Sequence, residues 1–350
     1  MDDRHMERAF ELARRWPNSH PNPRVGAVVV SSTGAIAGEG WHEGPGTNHA
    51  EVMALNQAGD IARGATLYVS LEPCSHQGRT PPCTEALISA QVSTVVVGTI
   101  DPDPRVSGRG VKRLREAGIE VVTGVRESEA REVDRAYFHH RENGLAMVTA
   151  KWAMTLDGAI AAADDTSRWI TGTPARAEVH HLRSRVDGVV VGAGTLRADD
   201  PRLDVRLEDY EGPQPRPVVI SGRQSLPEQA RIWERDPVVV STRLMEIPSG
   251  EVLQVQGDDD LPDPKAVVEA LGERGLIHLL LEGGPVISGA WWRAGVITNG
   301  FVFIGSRVGG GTGRSPMAGT FATIADALDV EFRSVRSVGD DVVIAFEKNY

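Results

Sequence analysis

The sequence predicts two layered α/β domains in tandem, joined near residue 145. Three observations predict this. The chain has 350 residues, too many for one ordinary domain and suited to two. Apolar runs of strand length alternate with segments of helical spacing along most of it. A polar break, Glu142-Asn143-Gly144, follows a long charged stretch, and a fresh strand pattern starts at Met147. The boundary therefore divides residues 1–144 from residues 145–350.

In the first half, Met6 to Arg15 has helical spacing and Val25 to Val30 is a strand-length apolar run. Ile36 to Trp41 is its expected antiparallel partner, with Ser31-Ser32-Thr33-Gly34 supplying the turn. Helices are expected at Ala50 to Ala58, Cys83 to Ala90 and Gly110 to Ala117, alternating with strands at Thr66 to Leu71, Val95 to Gly98 and Glu120 to Val122. Glu127 to Arg141 reads as one long helix. In the second half, strands are expected at Met147 to Met154, Gly188 to Val191, Arg216 to Ser221, Val238 to Ser241 and Ile277 to Leu281. Ala175 to Ser184, Pro264 to Glu273 and Pro285 to Ala294 read as helices. The end changes character. Phe301 to Ile304, Val330 to Val335 and Asp341 to Phe346 read as strands, the last two forming a hairpin turned at Gly339-Asp340.

A hydrophobic content of 41% with 24% charged residues is ordinary for a globular protein. The sequence has no apolar run long enough to cross a bilayer, and its charged start has no signal-peptide character, so a cytoplasmic enzyme without membrane partners is expected. The formal charge of −11 argues against a nucleic-acid partner, which normally meets a basic footprint. A small-molecule substrate is favoured, and local cations must then hold any phosphate it carries.

Only two cysteines occur, Cys74 and Cys83, close together in one segment. In a reducing compartment such closeness reads as metal binding or catalysis before it reads as a disulfide. Upstream lies His49-Ala50-Glu51 at the start of a predicted helix, and Pro73-Cys74 follows a predicted strand. Hydrolytic deamination needs a nucleophile from water at neutral pH and a proton carrier. Zinc on His49, Cys74 and Cys83 with an open fourth position answers the first need, and Glu51 answers the second. Cys83 opens a helix, where the dipole favours a thiolate. The competing reading is a closed structural zinc site with His76 as fourth ligand; a substrate contact by His76 is preferred.

The segment Leu71-Glu72-Pro73-Cys74-Ser75-His76-Gln77-Gly78-Arg79-Thr80-Pro81-Pro82-Cys83 closely resembles the deaminase motif of the bifunctional riboflavin-biosynthesis deaminase–reductases. Pro21-Asn22-Pro23-Arg24-Val25-Gly26, Asp101-Pro102-Asp103-Pro104 and Gly108-Arg109-Gly110 match as well. The resemblance implies a cytidine-deaminase-like fold for the first domain. It implies deamination of 2,5-diamino-6-ribosylamino-4(3H)-pyrimidinone 5′-phosphate at its 2-amino group, with Asn22, His42, His76 and Arg79 contacting substrate. Arg79 stands where the family often has lysine, and Asp103 where asparagine is common.

In the second half, Lys151 to Gly158, Ser167 to Gly172, Val191 to Thr195, Asp199 to Leu203 and Glu282-Gly283-Gly284 look like the dihydrofolate-reductase-like half of the same family. This implies NADPH-dependent reduction of the ribosyl ring to a ribityl chain. Ala153, Trp169, Thr195, Asp199, Ser221 and the run Gly284, Pro285, Val286, Ile287, Ser288, Gly289 and Ala290 would bind the cofactor. Lys151, Ser167, Arg183, Leu203, Arg206 and Glu282 would meet substrate, with the arginines as phosphate ligands and Lys151 and Glu282 as positioning or proton-handling groups. The residues themselves make no Rossmann fingerprint, because Gly192-x-Gly194 lacks a third glycine. Ile297-Thr298-Asn299 and Gly305-Ser306-Arg307 depart from the family pattern, and both acidic groups are lost. The resemblance also implies a homo-oligomer. A deaminase–reductase of a related heterocycle, a zinc-stabilised scaffold and a nucleic-acid base deaminase are the competing readings; Glu51 argues against the scaffold.

Overall fold

The structure is a computed structural model that describes residues 3–77, 81–164, 166–222, 225–258, 261–310, 313–319 and 323–349. It divides into two compact units, Met1–Gly144 and Leu145–Tyr350. Each is an α/β unit around its own sheet.

The first unit holds α1 (Asp3–Ala13), β1 (Gly26–Val30), β2 (Ile36–Trp41), α2 (Ala50–Ala58), β3 (Thr66–Leu71), α3 (Cys83–Ser89), β4 (Thr94–Thr99), α4 (Arg109–Glu116), β5 (Glu120–Thr123), α5 (Glu127–Val133) and α6 (Arg135–Asn143). The strand order is β2-β1-β3-β4-β5. β1 runs antiparallel to β2 and β3, whereas β3, β4 and β5 are parallel. Strand side chains alternate between faces. Ala27 and Val29 therefore join Ala50, Ala54 and Leu87 in one core layer, while Val28 and Val30 join Met6 and Phe10 in the other. Burial of both faces explains why these strands read as continuous apolar runs. Gly40 brings α2 close to β2: a Cβ there would lie 2.1 Å from the Ala50 carbonyl oxygen. This sets the depth of the α2 N-terminus, which carries His49 and Glu51.

The long helix expected from Glu127 to Arg141 is two helices broken at Asp134. Asp134 has φ −144 and ψ 65, and its carboxylate accepts the Tyr137 N–H at 3.3 Å as the cap of α6. The same carboxylate accepts the Arg24 N–H at 2.8 Å and lies 2.8 Å from His20 Nε2. A buried carboxylate with three partners outweighs helical propensity.

The second unit holds β6 (Met147–Thr155), α7 (Thr173–Arg183), β7 (Gly188–Gly192), α8 (Ala193–Asp199), β8 (Arg216–Ile220), β9 (Val238–Ser241), β10 (Glu251–Gln254), α9 (Pro264–Glu273), β11 (His278–Leu281), α10 (Pro285–Arg293), β12 (Ile297–Gly305), β13 (Val330–Val338) and β14 (Asp341–Lys348). The strand order is β10-β9-β8-β7-β11-β6-β12-β14-β13, parallel as far as β12 and antiparallel beyond it. The terminal hairpin turns at Gly339-Asp340, as expected. Two elements lie outside the expected list. Helix α8 has only seven residues, too few for a period to show. Strand β10 is a four-residue edge strand, partly exposed, without an apolar run. Among the described residues, no helix is long and apolar enough to cross a membrane.

Burial alone would push the Asp134 carboxyl up, but the His20 ring and then Arg24 outweigh it and hold its pKa at about 2. A depressed carboxyl contributes stability above its unfolded pKa and loses it as pH falls through the folded one. Asp134→Asn is expected to remove about 2 kcal/mol at pH 7 and to flatten the acid limb between about pH 4 and 2, read by urea unfolding across pH.

Candidate active sites

In the first unit, three element ends converge. His49 immediately precedes α2, Cys83 opens α3, and Cys74 follows the end of β3. His49 Nδ1 lies 3.0 Å from Cys83 Sγ and 3.6 Å from Cys74 Sγ, and the three donor atoms are all within 4.8 Å of one another. Two thiolates and an imidazole around tetrahedral zinc stand about 3.5 to 3.8 Å apart, so this donor set fits the metal. The Cys83 N–H donates to Cys74 Sγ at 3.4 Å. The Cys83 thiol, against the opposing effect of burial and with help from His49, pulls the Cys74 thiol down to about 4. Glu51, in the first turn of α2, is only 3% exposed, and burial pushes its carboxyl up to about 6 against the pull of His49.

A cavity of about 440 Å³ opens over these groups, lined by Asn22, His42, His49, Glu51, Cys74 and His76 among others. Cys83 is buried beneath and does not line it. Arg79 lies outside the described residues. His76 stands apart from the group of metal donors and is an exposed wall residue, so the geometry does not support it as a fourth ligand. His42 Nδ1 faces the Asn48 carbonyl at 3.2 Å, which makes Nε2 the acceptor for Asn22 Nδ2 at 2.9 Å. Burial lowers the His42 pKa and keeps the ring neutral for that role.

Cys74 is held from below by Glu72. The buried Glu72 carboxylate accepts N–H groups from Gly108 at 2.9 Å, Val111 at 3.1 Å and Asp101 at 3.3 Å. Gly110 completes the joint, because a Cβ there would lie 2.0 Å from the Pro73 carbonyl oxygen. Sequence reasoning missed Asp101, Arg105, Tyr137 and Arg141 as cavity walls. For Tyr137 and Arg141 the signal was their i, i+4 spacing, hidden within a stretch that read as a charged surface helix.

The second unit has a larger cavity of about 770 Å³. It brings together Lys151, Ala153, Ser167, Trp169, Arg183, Thr195, Asp199, Leu203, Arg206, Glu282, Gly284 and Pro285. Its walls carry Lys151 and seven arginines against two carboxylates, Asp199 and Glu282, in a chain of net charge −11. Such a lining suits polyanionic ligands. Gly284 caps α10, leaving the first N–H groups of that helix beside the cavity.

Arg183, expected as a phosphate ligand, lines the cavity and also makes bonds within the unit. It pairs with Glu282 through two bonds of 2.7 and 3.0 Å and donates to the Asp204 carbonyl at 3.1 Å. Burial opposes the Glu282 charge, but Arg183 and then Lys151 hold its pKa at about 2. Burial lowers the Lys151 pKa, with Glu282 opposing. Arg206 is exposed and pairs with Asp204. Trp169 is 60% exposed, with the Arg176 guanidinium 4.5 Å from its ring centre. Ser221, Val286, Ile287, Ser288, Gly289 and Ala290 do not line the cavity. Ser221 is buried at the end of β8, Ile287 and Ala290 pack into the core, and Ser288 Oγ donates to the Gly283 carbonyl. Only the start of α10 faces the cavity; its helical period turns the rest inward or away.

Residues 146–344 match the family described as the RibD C-terminal domain, and residues 1–99 match the cytidine and deoxycytidylate deaminase zinc-binding region. The riboflavin biosynthesis protein RibD of Aquifex aeolicus is 41% identical, with 99% of each chain covered. The chain belongs to the RibD family. RibD of Escherichia coli is 36% identical over 98% of both chains. Acinetobacter baumannii RibD superposes with a TM-score of 0.92 at 35% identity, covering 99% of this chain and 98% of that one. The diaminohydroxyphosphoribosylaminopyrimidine deaminase/5-amino-6-(5-phosphoribosylamino)uracil reductase of Thermotoga maritima gives 0.89 at 33%, covering 99% and 98%. Membership in the RibD family agrees with the cytidine-deaminase-like first fold and the reductase-type second fold. The segment Ile297-Thr298-Asn299, expected to depart from the family pattern, lies at the start of β12 of this RibD family member. There Thr298 Oγ1 donates to the Val148 carbonyl at 2.8 Å and Thr149 Oγ1 to Asn299 Oδ1 at 2.8 Å, so the departure is satisfied within the sheet.

Cys83→Ala is expected to strip most of the zinc from the purified protein, read by metal analysis, because two protein ligands remain of three. Glu282→Ala leaves the Arg183 charge buried and unpaired; it should destabilise the second unit by about 3 kcal/mol in urea unfolding.

Proposed function

We infer that this chain catalyses two successive steps of riboflavin biosynthesis, one in each unit. The first unit hydrolyses the 2-amino group of 2,5-diamino-6-ribosylamino-4(3H)-pyrimidinone 5′-phosphate. The second reduces the ribosyl ring of the product to a ribityl chain with NADPH. The observation that carries the reading is the buried carboxylate of Glu51 on the same cavity as His49 and Cys74, with Cys83 just beneath.

His49, Cys74 and Cys83 would hold zinc, which when bound brings the pKa of a coordinated water near 7. Glu51 takes a proton from the attacking water and passes it to the ring nitrogen, then takes the second proton from the hydroxyl newly bonded to the ring carbon and gives it to the departing amine. A carbon–nitrogen bond is exchanged for a carbon–oxygen bond, and ammonia leaves. Asn22, whose Nδ2 faces His42, offers its Oδ1 to a donor on the ring edge. His76 and Arg79 belong to the connection between the two thiol ligands and are assigned to the rest of the substrate.

In the second unit, the cavity walls would hold NADPH, which would supply the hydride needed at the sugar C1′ for the ring carbon–oxygen bond to open. Lys151, half-buried beside the Arg183–Glu282 pair, supplies the proton that the ring oxygen then needs. Arg206 and neighbouring arginines bind phosphate, while Ala153, Ser167, Trp169, Thr195, Asp199, Leu203, Gly284 and Pro285 shape the pocket. We place the enzyme in the cytoplasm, where thiol ligands stay reduced, and assign it a homo-oligomeric state that sedimentation can test.

Zinc-loaded protein given this substrate should add one mass unit without NADPH and two more with it. Glu51→Gln should retain zinc and lower ammonia release by at least about a hundredfold. Unchanged release in that variant would remove Glu51 from the mechanism.

A further inference from the structure

Asn22 is assigned to the ring edge, yet it sits on a loop and not on a helix or strand. What holds this loop lies outside the cavity lining, at His20 and Asp134. We propose that the His20–Asp134 pair is a positioning clamp for Asn22, fixing both ends of the loop that presents its amide to the substrate's ring. The proposal rests on the deaminase reading. It gives that site two further residues, which act through Asn22 and touch no substrate.

The clamp closes a short loop at both ends. His20 Nε2 lies 2.8 Å from Asp134 Oδ1, and the Arg24 N–H donates to Asp134 Oδ2 at 2.8 Å. Entry to and exit from Pro21-Asn22-Pro23 are thus tied to one carboxylate. The tie is shielded from water: the His20 side chain is 0% exposed and that of Asp134 4%. Asp134 is itself fixed, because it caps α6 through the Tyr137 N–H. Further bonds brace the loop from within. The Asn22 N–H donates to the Ser19 carbonyl at 3.2 Å, and Ser19 Oγ donates to the Asn22 carbonyl at 3.2 Å. The His20 N–H donates to Asn18 Oδ1 at 3.0 Å.

These bonds place the Asn22 backbone, and His42 then sets its amide, accepting Nδ2 at 2.9 Å. Pro21, Asn22 and Pro23 all line the cavity. An amide that reads a ring edge must wait within about 0.5 Å of its productive position, and a loop is the least precise place to carry it. A buried polar pair gains little stability over apolar residues of the same volume. What it adds is direction, here two bonds aimed at chosen points on either side of Asn22. One carboxylate holding both flanks of the loop is what such preorganisation requires.

The test uses the zinc-loaded full chain. His20→Leu should raise KM for deamination about tenfold and leave kcat within about threefold, because pairing to the ring weakens while Glu51 and the metal ligands stay in place. His20→Gln, whose amide nitrogen can reach the same carboxylate, should recover most of the loss. Asn22→Ala should cost at least as much as His20→Leu, and the double variant should lose no more than Asn22→Ala alone, to within about twofold. Zinc content and NADPH turnover should not change. Losses that multiply in the double variant, a loss of zinc, or a fall in kcat at constant KM would overturn the clamp and leave a structural role only. If His20→Leu fails to fold, hydrogen exchange in the wild-type chain decides. The amides of residues 19–26 should be protected before substrate is added and gain little when it is. Protection that appears only with substrate would overturn the proposal. A wild-type chain that deaminates nothing would defeat the deaminase reading instead, while the exchange measurement still judges whether the loop is held.

Discussion

The carboxylate of Glu72 is the tie on which the first site depends. It is buried, and it accepts N–H groups from Asp101, Gly108 and Val111. These bonds join the end of β3 to the first turn of α4, and Cys74 sits two residues beyond the tie. A metal ligand is useful only if it waits in position before the metal arrives. Here the positioning is done by backbone N–H groups at a helix start, where a negative charge is already favoured. The cost of burying Glu72 is offset by bonds that also fix the loop lining the cavity from Asp101 to Val106.

The second unit solves a different problem with a similar device. Its tie is the two-bond pair between Arg183 and Glu282, which joins α7 to the residue following β11. Lys151 lies near this pair and feels both charges. Around them the wall is strongly cationic, as a site for two phosphate-bearing ligands requires.

Much of this was legible in the sequence. His49, Glu51, Cys74 and Cys83 are residue types whose chemistry is narrow, and their placement at predicted element ends made the metal reading concrete. The strands were legible because burial on both faces leaves continuous apolar runs. What escaped was set by tertiary partners. Asp134 reads as one more helix-surface charge until His20 and Arg24 are seen to claim it. The partner of Arg183, Glu282, lies nearly a hundred residues on and could not be read from the chain. Ile287 and Ala290, which the family resemblance implies as cofactor contacts, have side chains that pack against the core. Tyr137 and Arg141 share a helix face by their i, i+4 spacing, but the break that aims this face at a cavity was itself invisible.

The two thiol ligands stand at opposite ends of one connection, Cys74 anchored by what precedes it and Cys83 by the helix it opens. The metal geometry is therefore indifferent to what lies between them, provided the span is kept. Residues 75–82 can change their chemistry without disturbing the hydrolytic centre. Such a division separates the evolution of substrate choice from the evolution of catalysis: contacts to the substrate beyond its ring can be rewritten in one loop while the metal donors stay in place.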